Sequence, residues 1–181
     1  MNIFEYAKEK EKYTEQFYRQ LAETSKADGL KTIFNMLADQ EHHHFEIIDQ
    51  MKSQYPPRIG DTDILGGAKK IFEKIRKGAA KMPTELKGDN EQFLRSNINI
   101  KQMHFGGHEI TVYRQAQEFE KKSREFYLEK SREADSPQKE IFEKLAGEEM
   151  KHYILLDNII EMVSRPEQWL ENAEWFHLES Y

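Results

Sequence analysis

Four glutamates and two histidines occupy positions at which amphipathic helices would carry leucine. They are Glu11, Glu41, His44, Glu120, Glu149 and His152. A buried carboxylate must be protonated, paired with a cation or bound to a metal, because an isolated buried charge costs many kcal/mol. The neighbouring positions of the apolar stripes hold no lysine or arginine that could neutralise four carboxylates. Two divalent cations would balance the four negative charges, so the pattern predicts a metal centre.

The spacing of these residues suits metal ligation. Positions i and i+3 share one helix face, so Glu41 and His44 can reach the same site, and Glu149 and His152 repeat the arrangement. One glutamate from each of two helices, with Glu-x-x-His from each of two others, is the ligand set of di-iron carboxylate bundles. Carboxylate and imidazole ligands suit iron or manganese, and zinc is a further possible occupant.

An internal repeat surrounds the candidate ligands. The pattern Ala-x3-Glu-x5-Phe-Tyr around Glu11 recurs around Glu120, and Leu-Ala-x2-Glu-x2-His around Glu41 recurs around Glu149. A single Glu-x-x-His in a glutamate-rich helix is usually a solvent-facing pair. Two copies, each on an apolar stripe and each with an upstream glutamate, are far more specific for a metal site.

The elements that must position these residues are four helices. Apolar residues alternate three and four positions apart around each ligand, which predicts helices that pack at a shallow crossing angle. Asp28 and Ser136 are candidate caps of the second helix in each copy, and Pro137 is tolerated in a first turn. The sequence therefore predicts an all-α four-helix bundle of two hairpins, about residues 3–54 and 108–164, in a single domain spanning 1–181.

A long crossover, residues 55–107, joins the two predicted hairpins. An antiparallel bundle built from two hairpins needs its second and third helices to run parallel, so the link must travel the length of the bundle. The run from Ala68 to Gly78 predicts a short basic helix in this link, whereas residues 84–106 carry no clear pattern. The aromatic tail, 165–181, is expected to pack on its own bundle, with a subunit contact as the alternative.

Composition excludes several classes of protein. The net charge of -6 argues against nucleic acid as a partner, because duplex binding usually needs a basic face. The absence of cysteine excludes disulfides and thiolate metal sites. The N-terminus lacks the apolar core of a signal peptide, and no run approaches the roughly 20 apolar residues that span a bilayer. We therefore expect no membrane association and a cytoplasmic location.

These motifs resemble the ferritin-like superfamily and, within it, the rubrerythrin-type di-iron domain without a rubredoxin domain. The resemblance covers both hairpins but not the crossover. It implies that Glu41 and Glu149 bridge the two metal ions. It also implies that Glu11 and Glu120 are terminal carboxylates and that His44 and His152 are terminal imidazoles. It also implies two iron ions as cofactor and suggests a homodimer.

The chain departs from the family pattern at two points. Rubrerythrins usually add a rubredoxin-like domain with cysteine-bound iron, so here the electrons must come from a separate donor protein. The family also carries an extra glutamate one turn beyond the third-helix ligand, where this chain has Ser123, mirrored by Thr14. This loss puts in doubt the ligand exchange linked to redox state in that family. The two small residues either leave room for peroxide or dioxygen or simply relieve crowding.

Other polar residues near the ligands have weaker patterns. Tyr18 and Tyr127 lie seven residues past the terminal glutamates, and each hydroxyl is expected to bond a ligand carboxylate of a neighbouring helix. Packing at the bundle edge is the alternative. Four other histidines are not predicted to be ligands. His42 and His43 point away from the stripe, and His104 and His108 lie in a glycine-rich stretch.

The functional hypothesis is a non-haem di-iron oxidoreductase. Acting as a rubrerythrin-like peroxidase or oxidase, it would reduce hydrogen peroxide, or dioxygen, with electrons from the donor protein, and its role would be protection against oxidative stress. The alternatives are an iron-binding or storage protein with ferroxidase-like activity, a protein in which the metal only stabilises the helices, and a metal-free helical scaffold.

Overall fold

Five α-helices form the described part of the computed structural model, which comprises residues 3–25, 27–51, 60, 62–80, 107–165 and 168–169. The helices are α1 (Ile3–Thr24), α2 (Asp28–Met51), α3 (Ile64–Ala80), α4 (Gly107–Glu133) and α5 (Gln138–Ser164). These ranges contain no strand. The predicted all-α fold is confirmed, and α3 is longer at both ends than the predicted basic helix.

Each half of the repeat is an antiparallel hairpin. In the first, the start of α1 meets the end of α2 through the ion pair of Lys8 with Asp49, while the Arg19 guanidinium lies 2.6 Å from Asp39 Oδ1. In the second, Gln117 Nε2 of α4 donates to Asp157 Oδ1 of α5 at 3.0 Å. Such pairing follows directly from the short connections between the paired helices.

The two hairpins also pack antiparallel to each other. Along α1 and α4, the ring of Tyr6 contacts that of Phe126 and the ring of Tyr13 contacts that of Phe119. Along α2 and α5, the ligand pairs of the two helices face each other in opposite order. Helices α2 and α4 therefore run parallel, which confirms that the connection between them must travel the length of the bundle.

The bundle core consists of two apolar clusters with a polar layer between them. One cluster includes Leu37 of α2 and Leu156 of α5, and the other includes Ile48 of α2 and Leu145 of α5. The predicted stripes are the buried faces of the helices, with only Phe4, Leu21 and Val163 partly exposed. Burial of these stripes, at roughly 25 cal/mol per Å² of apolar surface, is what holds the polar layer in place.

The hairpin turns differ in part from the prediction. Helix α2 begins at Asp28, which therefore lies in the first turn, one residue past the cap position expected of it. Ser136 does not cap α5: the N-cap residue is Pro137, which makes no side-chain cap, and Ser136 Oγ instead donates to Glu140 Oε1 at 2.8 Å. The proline itself takes the boundary position, so the serine lies one residue too early for a side-chain cap.

Helix α3 and the start of the C-terminal tail pack against the bundle and against each other. Trp169 is buried, and its ring meets that of Phe72 edge-on at 5.7 Å. The Arg76 guanidinium lies over the same indole and donates to the Trp169 carbonyl at 2.9 Å. This is the predicted packing on the chain's own bundle. Residues 84–106 and the rest of the tail, including Trp175, Phe176 and Tyr181, lie outside the described residues.

Candidate metal centre

The six predicted ligands meet in the polar layer between the two apolar clusters. Each is at most 1% exposed. Two of the helices contribute an i, i+3 pair and the other two contribute a single glutamate each. These residues meet because the four helices pack with these positions at the same level of the bundle. The candidate ligands are Glu11 of α1, Glu41 and His44 of α2, Glu120 of α4, and Glu149 and His152 of α5.

The ligands form two overlapping groups, each able to hold one metal ion. The first contains Glu11, Glu41, His44 and Glu149, and the second contains Glu41, Glu120, Glu149 and His152. Within each group, one ligand atom per residue lies within 4.8 Å of all the others. Glu41 and Glu149 belong to both groups, as expected of carboxylates placed between two ions.

Each histidine lies close to one of the shared carboxylates and to one terminal carboxylate. His44 Nδ1 lies 3.5 Å from Glu149 Oε1 and 3.6 Å from Glu11 Oε2. His152 Nδ1 lies 2.8 Å from Glu41 Oε1 and 3.5 Å from Glu120 Oε2. The two imidazole rings are nearly parallel, with centroids 5.4 Å apart. Nitrogen and oxygen lone pairs thus converge on a common space.

The atoms that converge on this space lack hydrogen-bond partners among the described residues, even where two of them lie close to each other. Both oxygens of Glu41 and of Glu149 are buried and unpartnered, as are both ring nitrogens of His44 and of His152. The terminal carboxylates differ, because only Oε2 of Glu11 and Oε2 of Glu120 are unpartnered. Buried polar atoms are almost always satisfied in native proteins. A pair of divalent cations fits this donor set, since it could bind the unpartnered carboxylate oxygens and one ring nitrogen of each histidine.

Tyrosine hydroxyls engage the other oxygen of each terminal carboxylate. Tyr18 of α1 donates to Glu120 Oε1, and Tyr127 of α4 donates to Glu11 Oε1. Both tyrosines are fully buried. The predicted hydrogen bonds to carboxylates of a neighbouring helix are therefore present, and each leaves Oε2 directed at the site.

Without metal, the layer shares protons among its acids and bases. Burial and the charge of Glu149 raise the pKa of Glu120 to about 8, and burial followed by the charges of the other carboxylates raises the pKa of Glu41. For His44, burial lowers the pKa, but the nearby carboxylates outweigh it and raise the pKa to about 10. The same balance raises the pKa of His152. Protons thus replace cations as the compensating charge.

Thr14 and Ser123 lie one turn from the terminal glutamates and are buried as predicted. Thr14 Oγ1 donates back to the Lys10 carbonyl at 3.1 Å, within its own helix. Neither side chain supplies a carboxylate to the layer, so the ligand set stays at four glutamates and two histidines. Both predicted explanations, room for an oxidant and relief of crowding, are compatible with this placement.

The remaining histidines are not part of the site as described. The side chains of His42 and His43 are 53% and 40% exposed, in agreement with their predicted solvent-facing positions. His42 Nδ1 lies 3.1 Å from Glu15 Oε2. His108 falls in the first turn of α4, and His104 lies outside the described residues.

Two residues adjacent to ligands in sequence were missed by the sequence analysis. The Lys10 ammonium is buried beside the site, 5.0 Å from the centroid of the Tyr127 ring. Glu148 is buried and accepts hydrogen bonds from Thr62 Oγ1 at 2.6 Å and Lys151 Nζ at 2.8 Å, which ties the segment before α3 to α5. The i, i+3 spacing of Glu148 and Lys151 could have indicated this pair; nothing local indicated Lys10.

Comparison with known proteins agrees with the geometry. The family model described as Rubrerythrin matches residues 2–160. The chain belongs to the rubrerythrin family. No curated protein and no solved structure gave a significant match. Rubrerythrins bind a pair of iron ions, and the six buried ligands of this family member can hold a metal. None of its helices in the described ranges is long and apolar enough to cross a bilayer.

Proposed function

We propose that this rubrerythrin is a non-haem di-iron oxidoreductase that reduces hydrogen peroxide with electrons from a separate donor protein. The observation that carries the proposal is the layer of four carboxylates and two imidazoles whose converging atoms have no partner among the described residues. Dioxygen is the alternative oxidant.

The hydrogen bonds support a division of roles among the carboxylates. Glu41 and Glu149 have both oxygens unpartnered and belong to both ligand groups, so they would bridge the two ions. Glu11 and Glu120 each keep one oxygen on a tyrosine and offer the other, so they would bind one ion each. His44 and His152 complete the two groups as terminal ligands, one in each group.

Two iron(II) ions, when bound, would supply the two electrons with which hydrogen peroxide takes up two protons and yields two waters. The protein positions the ligands and keeps bulk water away from the site. The apolar clusters on both sides of the layer exclude bulk water, which strengthens electrostatic interactions inside it. Tyr18 and Tyr127 hold their phenolic protons on the terminal carboxylates and thereby fix the orientation of each carboxylate plane.

The test is the reaction of iron(II) with peroxide in the loaded protein. Metal-free protein is loaded anaerobically with iron(II) and mixed with hydrogen peroxide, and the near-ultraviolet absorption that accompanies iron oxidation is followed. We expect oxidation to be much faster than that of free iron(II) in the same buffer. A rate equal to that of free iron would refute the proposal.

A pair of matched variants assigns the reaction to the site. Glu41→Gln removes a bridging carboxylate at nearly constant volume and should abolish the fast phase. Glu46→Gln changes an exposed glutamate of the same helix and should leave the reaction unchanged. Iron content then separates the two functions: an enzyme holds two irons and cycles with an added reductant, whereas accumulation of many irons per chain without turnover would indicate storage.

A further inference from the structure

Two exposed tyrosines mark the α1–α4 face of the bundle. The side chains of Tyr6 and Tyr13 are 47% and 58% exposed, and they are the large apolar residues of the described ranges that are most open to solvent. Both belong to α1, and each contacts a phenylalanine ring of α4. From each tyrosine, ring contacts continue inward.

The first series of rings runs from Tyr6 to a terminal carboxylate. The Tyr6 and Phe126 centroids are 5.4 Å apart, and those of Phe126 and Tyr127 are 5.3 Å apart. The Tyr127 hydroxyl then donates to Glu11 Oε1. Aromatic pairs in contact have centroids roughly 4.5–7 Å apart, so no saturated side chain interrupts this path.

The second series runs from Tyr13 to the other terminal carboxylate. The Tyr13 and Phe119 centroids are 5.8 Å apart, those of Phe119 and Phe17 are 5.5 Å apart, and those of Phe17 and Tyr18 are 6.1 Å apart. The Tyr18 hydroxyl then donates to Glu120 Oε1. The two series thus reach the two ion-binding groups separately.

We propose that these two series of rings are electron paths, each carrying one electron at a time from a one-electron reductant at the protein surface to the metal centre. The inference rests on the proposed function. Frontier orbitals of an aromatic ring extend over the whole ring, so rings in contact couple a donor to an acceptor better than saturated side chains do. A hydrogen bond to a ligand oxygen completes each path. The buried ligands make direct contact with a bulky reductant impossible.

The electron count matches two paths. Hydrogen peroxide takes up two electrons and two protons, its O–O bond breaks, and two waters form. The centre then regains two electrons from two molecules of the reductant, each oxidised by one electron. When reductant is absent, tyrosine is the remaining source: two phenols each lose one electron and the phenolic proton, which together reduce one peroxide to two waters and leave two phenoxyl radicals.

Lys10 makes the two paths unequal. Its ammonium lies 5.3 Å from the Phe126 centroid and 5.0 Å from the Tyr127 centroid, and it is buried without a hydrogen-bond partner among the described residues. A cation over a ring opposes removal of an electron from that ring. The path that begins at Tyr6 is therefore harder to oxidise than the path that begins at Tyr13, where no such cation is recorded among the described residues.

The first experiment measures reduction of the metal centre instead of turnover. Protein loaded with iron and oxidised to iron(III) is mixed anaerobically with hexaammineruthenium(II), a one-electron reductant, and loss of iron(III) absorption is followed by stopped flow. Phe119→Leu and Phe126→Leu each break one path and should each lower the rate in part, Phe119→Leu more strongly, because independent paths add and the path beside Lys10 is the slower one. The double variant should slow reduction several-fold.

The matched control is Phe45→Leu, the same exchange next to His44 in sequence. The Phe45 ring stacks on His42 at 6.3 Å and belongs to neither path, so its loss should not change the rate. Circular dichroism and iron content verify that each variant folds and loads. Tyr6→Leu combined with Tyr13→Leu, which alters exposed rings alone, should also slow reduction. A wild-type rate in both double variants would overturn the proposal.

The second experiment locates the oxidised tyrosines. Iron-loaded protein receives excess peroxide without reductant in the presence of a nitroso spin trap, and peptide mass spectrometry maps the adducts. We expect adducts on Tyr13 in excess of Tyr6, and Lys10→Met should raise those on Tyr6. Adducts spread evenly over all tyrosines would contradict the proposal. Mixing of the iron(II)-loaded protein with peroxide also tests the proposed function separately. If iron(II) is then oxidised no faster than in buffer, it is the proposed function that fails.

Discussion

Replacement of Glu120 by glutamine changes the charge of the polar layer at nearly constant volume. In the metal-free protein, burial and the charge of Glu149 raise the pKa of Glu120 from the ordinary glutamate value of 4.5 to about 8. At pH 7 the folded protein therefore holds a proton that the unfolded chain has lost. At about 1.36 kcal/mol per pH unit between 4.5 and 7, keeping that proton costs roughly 3 kcal/mol of folding free energy.

Glutamine carries no such cost, because it cannot ionise, and its carbonyl oxygen can still accept the Tyr18 hydroxyl. We therefore expect Glu120→Gln to stabilise the metal-free protein by up to about 3 kcal/mol. The loaded protein should gain much less, since it loses an anionic ligand. A hundredfold weaker metal affinity would remove about 2.7 kcal/mol of the stabilisation that the metal provides.

The assay is urea unfolding followed by circular dichroism at pH 7, with and without anaerobic iron(II). Glu118→Gln is the matched control, because Glu118 is an exposed glutamate of the same helix. It should leave both unfolding curves within about 0.5 kcal/mol of wild type. Destabilisation of the metal-free protein by Glu120→Gln, or a loaded protein that gains as much as the metal-free one, would refute the reasoning that the carboxylate is tolerated only through cations or protons.

Three further predictions follow from the same contacts. The stability of the metal-free protein should fall as pH rises from about 4.5 to 8 through Glu120 and on towards about 10 through His44, because the folded state keeps protons that the unfolded state releases. The loaded protein should instead gain stability as pH rises to about 6.5, the ordinary pKa of histidine, since bound ligands must be deprotonated, and thermal unfolding near pH 5 and near pH 8 measures both trends. Tyr18→Phe and Tyr127→Phe should each lower metal affinity by roughly 10- to 100-fold in a competition titration, because each removes the hydrogen bond that orients a terminal carboxylate. Trp169→Ala should cost about 3 kcal/mol in urea unfolding and leave metal affinity unchanged, because it unpacks α3 far from the polar layer.

The ligand set and the helical hairpins could be predicted from the sequence because they depend on local periodicity. The i, i+3 spacing of Glu41 and His44 fixes a shared face in any α-helix, and the repeat around Glu149 and His152 places a second such pair. The metal centre was indicated by charge, because the same stripes carry no cations that could neutralise the four carboxylates. The antiparallel pairing within each half follows from the shortness of its turn.

Tertiary packing alone decided which side chains of different helices meet. Nothing local indicates that the carboxylate bonded by Tyr18 is that of Glu120, that Lys10 lies over the ring of Tyr127, or that Tyr13 begins a series of ring contacts, because helix register across the bundle is set by the whole core. The same holds for Ser136, whose capping failed by a one-residue shift of the helix start. Spacing along one helix is a property of the backbone, whereas contact between helices is a property of the packed bundle.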